Sequence, residues 1–152
     1  MSRSRLSSLA RLSGPRSGVG LWFVLLVGLC GSAACGRPHV KGTVAVETVL
    51  KAWTAEGFST DTLVNVEPDD WSAGACSRGT MSGLEILLCE YATDEALAAG
   101  EAKITRDWTQ QSVPTGATVR SARTLLAIAD RDKADPNGRT IARLLKTFRD
   151  QR

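Results

Sequence analysis

The hydrophobic positions of this chain repeat at helical spacing in two places. One stripe has its members at i, i+3, i+4 and i+7: Val46, Val49, Leu50 and Trp53. A second stripe repeats that spacing near the end of the chain: Ile141, Leu144, Leu145 and Phe148. Such stripes indicate amphipathic helices that pack one face on a core. We predict a first helix that begins at Thr43 or Val44, runs to Glu56 and is ended by Gly57. The last helix is predicted to begin at Pro136 behind an Asp135 cap and to run to about Arg149.

A strand pattern occupies residues 75–91. The second half of this stretch is apolar and rich in residues that favour strands, and Ser82-Gly83 before it suits a two-residue hairpin turn. In that register Met81 faces Leu84. Because side chains alternate along a strand, one face of the hairpin collects the residues that we expect in the core. These are Met81, Leu84, Ile86 and Leu88.

The remaining segments complete the order α, (β), β, β, α, β, β, α. A short strand at 63–66 and a helix from Asp94 to about Asp107, with Thr93 as its N-cap, are predicted. A second hairpin is predicted with strands at 118–120 and 124–129 around residues 121–123, after a loop over 110–116. The predicted fold class is α+β, with a mostly antiparallel sheet of four to five strands and about three helices packed on one face. Residues 43–152 then form a single small domain.

The first 34 residues differ in composition from this domain. Four basic residues come first, with no acidic residue among them: Arg3, Arg5, Arg11 and Arg16. Sixteen uncharged residues follow, from Val19 to Ala34, whereas a membrane-spanning helix needs ~20 apolar residues. A basic start, a short apolar stretch and a small-residue exit are typical of a secretory signal peptide. We predict that residues 1–34 are such a signal; an uncleaved anchor is the alternative.

The end of the apolar stretch, Ser32-Ala33-Ala34-Cys35, resembles the lipobox of bacterial lipoproteins, usually L-[AS]-[GA]-C. The resemblance covers residues 1–36 only, and Ser32 stands where that family prefers Leu. It implies cleavage before Cys35 and two or three acyl chains, such as palmitate, on that cysteine, with residues 35–42 as lipidated cysteine and tether. In proteobacterial lipoproteins an Asp directly after the lipidated cysteine often retains the protein in the inner membrane. Gly36 occupies that position here, which favours the outer membrane. Plain secretion after cleavage at Ala34 remains the other alternative.

Removal of the signal changes the charge balance. The whole chain has 19 basic and 16 acidic residues. Residues 35–152 keep fifteen of the basic residues and all sixteen acidic ones, interspersed without a basic cluster. Nucleic-acid binding requires a basic patch or stripe, so we expect a cell-envelope protein without a nucleic-acid partner. Its domain would lie in the periplasm or at the cell surface, attached to the membrane through the lipid.

Two cysteines remain in the domain once Cys30 leaves with the signal and Cys35 is acylated. The hairpin register sets Cys76 opposite Cys89, at a non-hydrogen-bonded pair where Cα atoms lie ~4.5 Å apart. That distance suits a disulfide, and an even pair of cysteines in an exported protein is typical of one. A disulfide that closes a loop of this length contributes about 3 kcal/mol on the chain-entropy model.

Few residues suggest catalysis. His39 is the only histidine and lies in the predicted tether, so the domain lacks the residues of a histidine-based triad or a Cys/His zinc site. We expect no cofactor and no enzyme activity, although catalysis by carboxylates stays open. One acidic cluster weakly resembles a calcium loop, and capping of the last helix explains it as well: Asp130, Asp132, Asp135 and Asn137.

Three functional hypotheses follow. The leading one is a cell-envelope lipoprotein with a non-enzymatic role, either structural or in binding an envelope protein or another envelope component. The second is a periplasmic enzyme acting on peptidoglycan or glycan, which predicts a concave pocket with two carboxylates and allows Trp71 or Trp108 alongside. The third is a small-ligand or calcium-binding module at residues 130–137. Both tryptophans equally suit the edge of a small core.

Overall fold

The computed structural model describes residues 39–59, 61, 63–109 and 115–151. The predicted signal peptide, the lipobox with Cys35 and most of the predicted 110–116 loop lie outside these residues. The regular elements, in chain order, are α1 (Val46–Ala55), β1 (Val64–Val66), β2 (Ala75–Met81), β3 (Leu84–Glu90), α2 (Asp94–Ile104), β4 (Thr115–Ser121), β5 (Thr124–Asp130) and α3 (Arg139–Arg149). A short 3₁₀ turn (Asp69–Trp71) precedes β2, and a π-helical turn (Thr105–Thr109) continues α2.

The strands form one five-stranded sheet in the order β1-β2-β3-β5-β4, and every neighbouring pair is antiparallel. With the three helices, this confirms the predicted α+β class. The two hairpins lie side by side, so β3 and β5 occupy the middle of the sheet. Both central strands are almost wholly buried.

The register of the first hairpin is the one that the sequence predicts. Met81 pairs with Leu84 around the Ser82-Gly83 turn, and Cys76 pairs with Cys89. Ser82 has φ 50° and Gly83 has φ 80°, the two positive values of a type I′ turn, whose twist matches that of the strands. The residues expected on the core face are all fully buried in one cluster: Met81, Leu84, Ile86 and Leu88.

Helices cover both faces of the sheet, so the prediction that they pack on one face is wrong. α1 and α3 cover the face that carries Ile86 and Leu88. α2 and the π-helical turn cover the opposite face. The reason lies in the central strands, where apolar residues occur at successive positions and leave both faces to be covered. The second face carries Leu87, Cys89, Leu125, Ala127 and Ala129.

Several boundaries differ from the predicted ones. α3 begins at Arg139 rather than Pro136, with Gly138 at the N-cap position in a left-handed conformation (φ 64°). The Asp135 carboxylate still caps this end, since it accepts a hydrogen bond of 2.8 Å from the backbone N–H of Ile141. In the second hairpin the turn contains only Ala122 and Arg123, and β4 begins at Thr115, inside the predicted loop.

Candidate functional site

The side chain of Glu90, at the end of β3, lies inside the domain, with 2% of its surface exposed. Its Oε2 accepts hydrogen bonds from the backbone N–H of Val40 (2.7 Å) and the hydroxyl of Thr43 (2.6 Å). Nδ1 of His39 lies 2.8 Å from that oxygen. A buried carboxylate is costly unless it is hydrogen-bonded, and here one stretch of chain supplies all three groups. We call residues 39–44 the lead-in segment.

Thr124, the cross-strand partner of Glu90, holds the other end of the lead-in segment. Its buried hydroxyl accepts a hydrogen bond of 2.8 Å from the Val44 N–H and donates one of 3.1 Å to the Val44 carbonyl. The backbone polar groups of Val44 are therefore satisfied by one side chain just before α1 begins. Two neighbouring positions on β3 and β5 thus determine where the chain joins the sheet.

Arg123, in the turn between β4 and β5, makes the third attachment. Its guanidinium donates to the carbonyl of Lys41 (2.6 Å) and to that of Ala92. Gly42 lies against this group with φ 82°, and a Cβ there would be 2.5 Å from Nη2 of Arg123. Only glycine combines this backbone conformation with such a close approach. The lead-in segment, which forms neither helix nor strand, is therefore fixed by side-chain contacts.

His39 is less solvated than its predicted place in a free tether suggests. Its side chain is 44% exposed, yet it pairs with a buried carboxylate. One signal for this site is present in the sequence. Glu90 falls on the same alternating face as Leu84, Ile86 and Leu88, which puts a carboxylate at a core position. Such a residue requires a partner, although the pattern does not identify His39, Val40 and Thr43 as that partner.

The predicted disulfide between Cys76 and Cys89 is present, with Cα atoms 4.2 Å apart. Both cysteines are buried on the α2 face of the sheet, in one cluster with Leu97 and Trp108. A disulfide in this position links the two strands beneath a covering helix. Its burial is typical of a structural bridge rather than an exposed, exchangeable one.

The acidic loop after β5 is organised by its own backbone. The buried carboxylate of Asp130 accepts hydrogen bonds from the N–H groups of Ala134 (2.7 Å) and Asp135 (3.0 Å). Asp135 in turn caps α3, while Asp132 and Asn137 are exposed. Within the described ranges, no group of three or more His, Cys, Asp or Glu side chains is arranged to hold a metal ion. Asp130 and Asp135 therefore serve as capping residues, because their carboxylates accept hydrogen bonds from backbone N–H groups.

Both tryptophans near predicted loops belong to the α2 side of the core. Trp108 is 4% exposed, with Arg131 5.7 Å from its ring centroid. Trp71 is half-buried against the same cluster, and the Lys103 ammonium lies 5.8 Å from its ring centroid. They therefore close the edge of the core, which is the second of the two roles that the sequence allows.

An open groove of about 460 Å³ between α1 and α3 contains two carboxylates, those of Glu56 and Asp150. Glu56 lies 3.8 Å from Arg143, and Asp150 lies 3.1 Å from Lys146. Neither Trp71 nor Trp108 lines this groove. The pair of carboxylates expected of a glycan-directed enzyme is thus present in a groove, but each is paired with a cation and no tryptophan lies alongside.

Tyr91 packs against α2 at Gly100, a contact that the small residues of this helix make possible. A Cβ at Gly100 would be 2.3 Å from the Tyr91 hydroxyl oxygen. Burial raises the pKa of Tyr91 above its usual value, and the nearby charge of Glu101 adds to this shift. Among the described residues no group hydrogen-bonds the phenol, which is fully enclosed. The helix thus approaches the sheet closely at the cost of an unpaired hydroxyl.

Comparisons with protein-family models, with curated proteins and with solved structures find no match to this chain. Within the ranges that the structure describes, no helix has the length and apolar character required to cross a membrane.

Proposed function

We propose that this chain is a cell-envelope lipoprotein, anchored through Cys35, whose α+β domain has a non-enzymatic binding or structural role. The observation that carries the proposal is the buried Cys76–Cys89 disulfide inside the domain. Disulfides persist in oxidising compartments, among them the bacterial periplasm. This agrees with export directed by the lipobox-like sequence that ends at Cys35.

The attachment of the lead-in segment also supports this proposal. Its contacts with Glu90 and Thr124 begin at His39, only four residues after Cys35. A lipidated Cys35 would therefore connect almost directly to a folded domain. Such a protein acts close to its membrane, and its partner is a component of the envelope within that short range. Gly36 favours the outer membrane, which fractionation of the host envelope would test.

The non-enzymatic role is supported by how the carboxylates are used. Glu90, Asp130 and Asp135 accept hydrogen bonds that hold backbone segments in place. The groove with Glu56 and Asp150 favours the alternative of a carboxylate enzyme acting on glycan. If that alternative holds, E56Q and D150N variants lose hydrolysis of peptidoglycan fragments while keeping the wild-type melting temperature.

Calcium binding at residues 130–137 is the third hypothesis. Calcium requires several oxygen ligands in one place, whereas Asp130 and Asp135 direct theirs to backbone N–H groups. We expect millimolar calcium to leave the melting temperature unchanged, because a ligand that binds the native state raises it. An increase in the melting temperature that the D132N variant lacks would instead support the calcium module.

The experiment that tests the proposal is the intact mass of the protein extracted from host membranes, with and without reduction before alkylation. The expected species begins at Cys35, carries two or three acyl chains and takes up two alkyl groups only after reduction. A species that begins at Cys35 without lipid would be a secreted protein with a free thiol. A full-length mass would identify an uncleaved anchor, and either result would reject the lipoprotein.

A further inference from the structure

The lead-in segment joins the domain at one end of the sheet, which we call the anchor end. There β3 ends at Glu90, opposite Thr124 at the start of β5. The turn Ala122–Arg123 between β4 and β5 lies at this end. The C-terminus of α3 lies there too, since the Ser121 hydroxyl donates to the carbonyl of Gln151. The Ser82-Gly83 turn of the first hairpin lies at the opposite end of the sheet.

The distance from Cys35 to the domain is limited by the chain. Four residue steps separate Cys35 from His39, and fully extended chain covers ~3.3–3.6 Å per residue, so the reach is about 14 Å. The lead-in segment adds little to this reach, because Glu90, Thr124 and Arg123 hold it against the sheet. A lipid on Cys35 would keep the anchor end within that distance of the bilayer.

We propose that the anchor end, around the turn Ala122–Arg123, rests on the phosphate-bearing headgroups of the membrane. This inference rests on the proposed lipidation of Cys35 and extends it to a defined orientation of the domain. The sheet strands then run away from the bilayer, with the Ser82-Gly83 turn farthest from it. β3 alone has seven residues, and a strand rises ~3.3 Å per residue. The Ser82-Gly83 turn therefore lies roughly 20 Å farther from the bilayer than the Ala122–Arg123 turn.

The charges around this turn suit a layer of phosphates. Arg120 and Arg149 line an open concavity of about 510 Å³ together with Ser121 and Ala122. Both arginines are exposed, although Arg120 also lies 3.9 Å from Glu101 and Arg149 is followed by the exposed Asp150. Lys41 is exposed in the adjoining lead-in segment. Arginine binds phosphate through paired N–H donors that match its geometry. The occupant that fits this corner of the domain is therefore an anionic lipid headgroup.

Exposed acidic side chains at the anchor end determine how the domain tilts on the membrane. They lie at the start of α1, in the β1–β2 connection, at the start of α2 and at the end of α3: Glu47, Glu67, Asp69, Asp70, Asp94, Glu95 and Asp150. Because the sheet order puts β1 and β4 at opposite edges, the acids of the β1–β2 connection and the arginine corner are separated by the width of the sheet. Repulsion of the acids in the β1–β2 connection and attraction of the arginines both bring the β4–β5 corner nearest to anionic headgroups.

Two matched labelling positions test this orientation. Ala122 and Ser82 are each the first residue of a two-residue hairpin turn, with φ values of 48° and 50°, at opposite ends of one sheet. Each is replaced by cysteine (A122C, S82C) and labelled with a fluorophore in the lipidated protein, which is then reconstituted into vesicles that carry a nitroxide on the headgroup. We expect several-fold stronger quenching at position 122 than at position 82. Equal quenching, or stronger quenching at position 82, overturns the proposal.

A charge-matched pair of variants tests the role of the arginine corner. In phosphatidylglycerol vesicles, R120Q/R149Q is expected to reduce the excess quenching at position 122. The control K51Q/R139Q removes the same charge elsewhere and is expected to keep it. In phosphatidylcholine vesicles free inorganic phosphate should not change the quenching of the wild type; a large change would assign the corner to a soluble phosphate ligand and overturn the headgroup contact.

The two proposals fail in different ways. If the protein does not float with vesicles in either labelled form, the lipid anchor is absent and both proposals fall. Flotation with equal quenching at the two positions keeps the lipoprotein and rejects only the orientation. Flotation with unequal quenching that R120Q/R149Q leaves unchanged rejects the headgroup contact, since the short tether alone would then orient the domain.

Discussion

Nδ1 of His39 lies 2.8 Å from Oε2 of Glu90, so the first described residue is paired with the last residue of the central strand β3. The carboxylate is 2% exposed and the imidazole 44%, so the contact runs from the interior of the domain to its surface. The same oxygen also accepts from Val40 and Thr43. The lead-in segment and the sheet should therefore unfold together.

We expect the E90Q variant to lower the free energy of unfolding by about 2 kcal/mol, because it removes the charge that strengthens these hydrogen bonds. Urea denaturation measures this loss. The lead-in segment should also become sensitive to proteases while the rest of the domain stays folded at low urea concentration.

Glu85 offers the matched control on the same strand. It pairs with Arg78 (3.0 Å) and Arg131 (3.1 Å), and its side chain is 26% exposed. Because exposed ion pairs contribute little, E85Q should cost at most ~1 kcal/mol. Equal losses for E85Q and E90Q would show that the buried carboxylate has no special role in fixing the lead-in segment.

Gly42 and Gly57 provide a second matched comparison, since both have φ 82°. Replacement by alanine imposes the same backbone strain at each, of order 1 kcal/mol. A Cβ at Gly42 would in addition lie 2.5 Å from Nη2 of Arg123, whereas nothing lies within 4 Å of one at Gly57. G42A should therefore destabilise more than G57A in thermal unfolding, and the excess should disappear in the G42A/R123A double variant.

The sequence predicted the hairpin register and the disulfide because short-range information defines both. The Ser82-Gly83 turn sets the pairing, and alternation along β2 and β3 carries it to Cys76 and Cys89. The α+β class follows from the order of helical and strand patterns in the same way. These features depend on the spacing of neighbours along one stretch of chain.

The coverage of the sheet and the lead-in attachment could not be predicted fully from local patterns. The placement of α2 opposite α1 and α3 depends on packing across the sheet, although the continuous apolar run from Leu125 to Ile128 indicates a strand buried on both faces. Contacts of Glu90 with His39 and Val40 join positions far apart in the sequence. A single sequence indicates the need for a partner but does not identify it.

Gly100 should be intolerant of substitution even though it lies within a helix. In an exposed helix interior alanine is favoured over glycine by about 1 kcal/mol. At Gly100 the added Cβ would lie 2.3–2.5 Å from Tyr91 atoms, and overpacking of this kind costs roughly 1–3 kcal/mol. We expect G100A to lower the free energy of unfolding in urea denaturation. A99G, at an exposed neighbouring position, should cost only the ordinary helix propensity, and a stabilised G100A would contradict the close contact between α2 and Tyr91.

The buried phenol of Tyr91 should make the domain less stable at alkaline pH. Burial, with the charge of Glu101 as a second cause, raises its folded-state pKa, whereas the unfolded chain has a pKa near ~10. The neutral phenol thus contributes stability that is complete below about pH 10 and is lost as the pH rises from there toward the folded-state pKa. Because Tyr91 is the only tyrosine, phenolate absorbance reports it directly and should appear together with unfolding.

Y91F keeps the ring against Gly100 and removes the unpaired hydroxyl, so it should be at least as stable at neutral pH and lose less stability above pH ~10 than the wild type. Phenolate formation at an ordinary pKa in the folded protein would show that the hydroxyl is open to water and would remove the basis of this prediction.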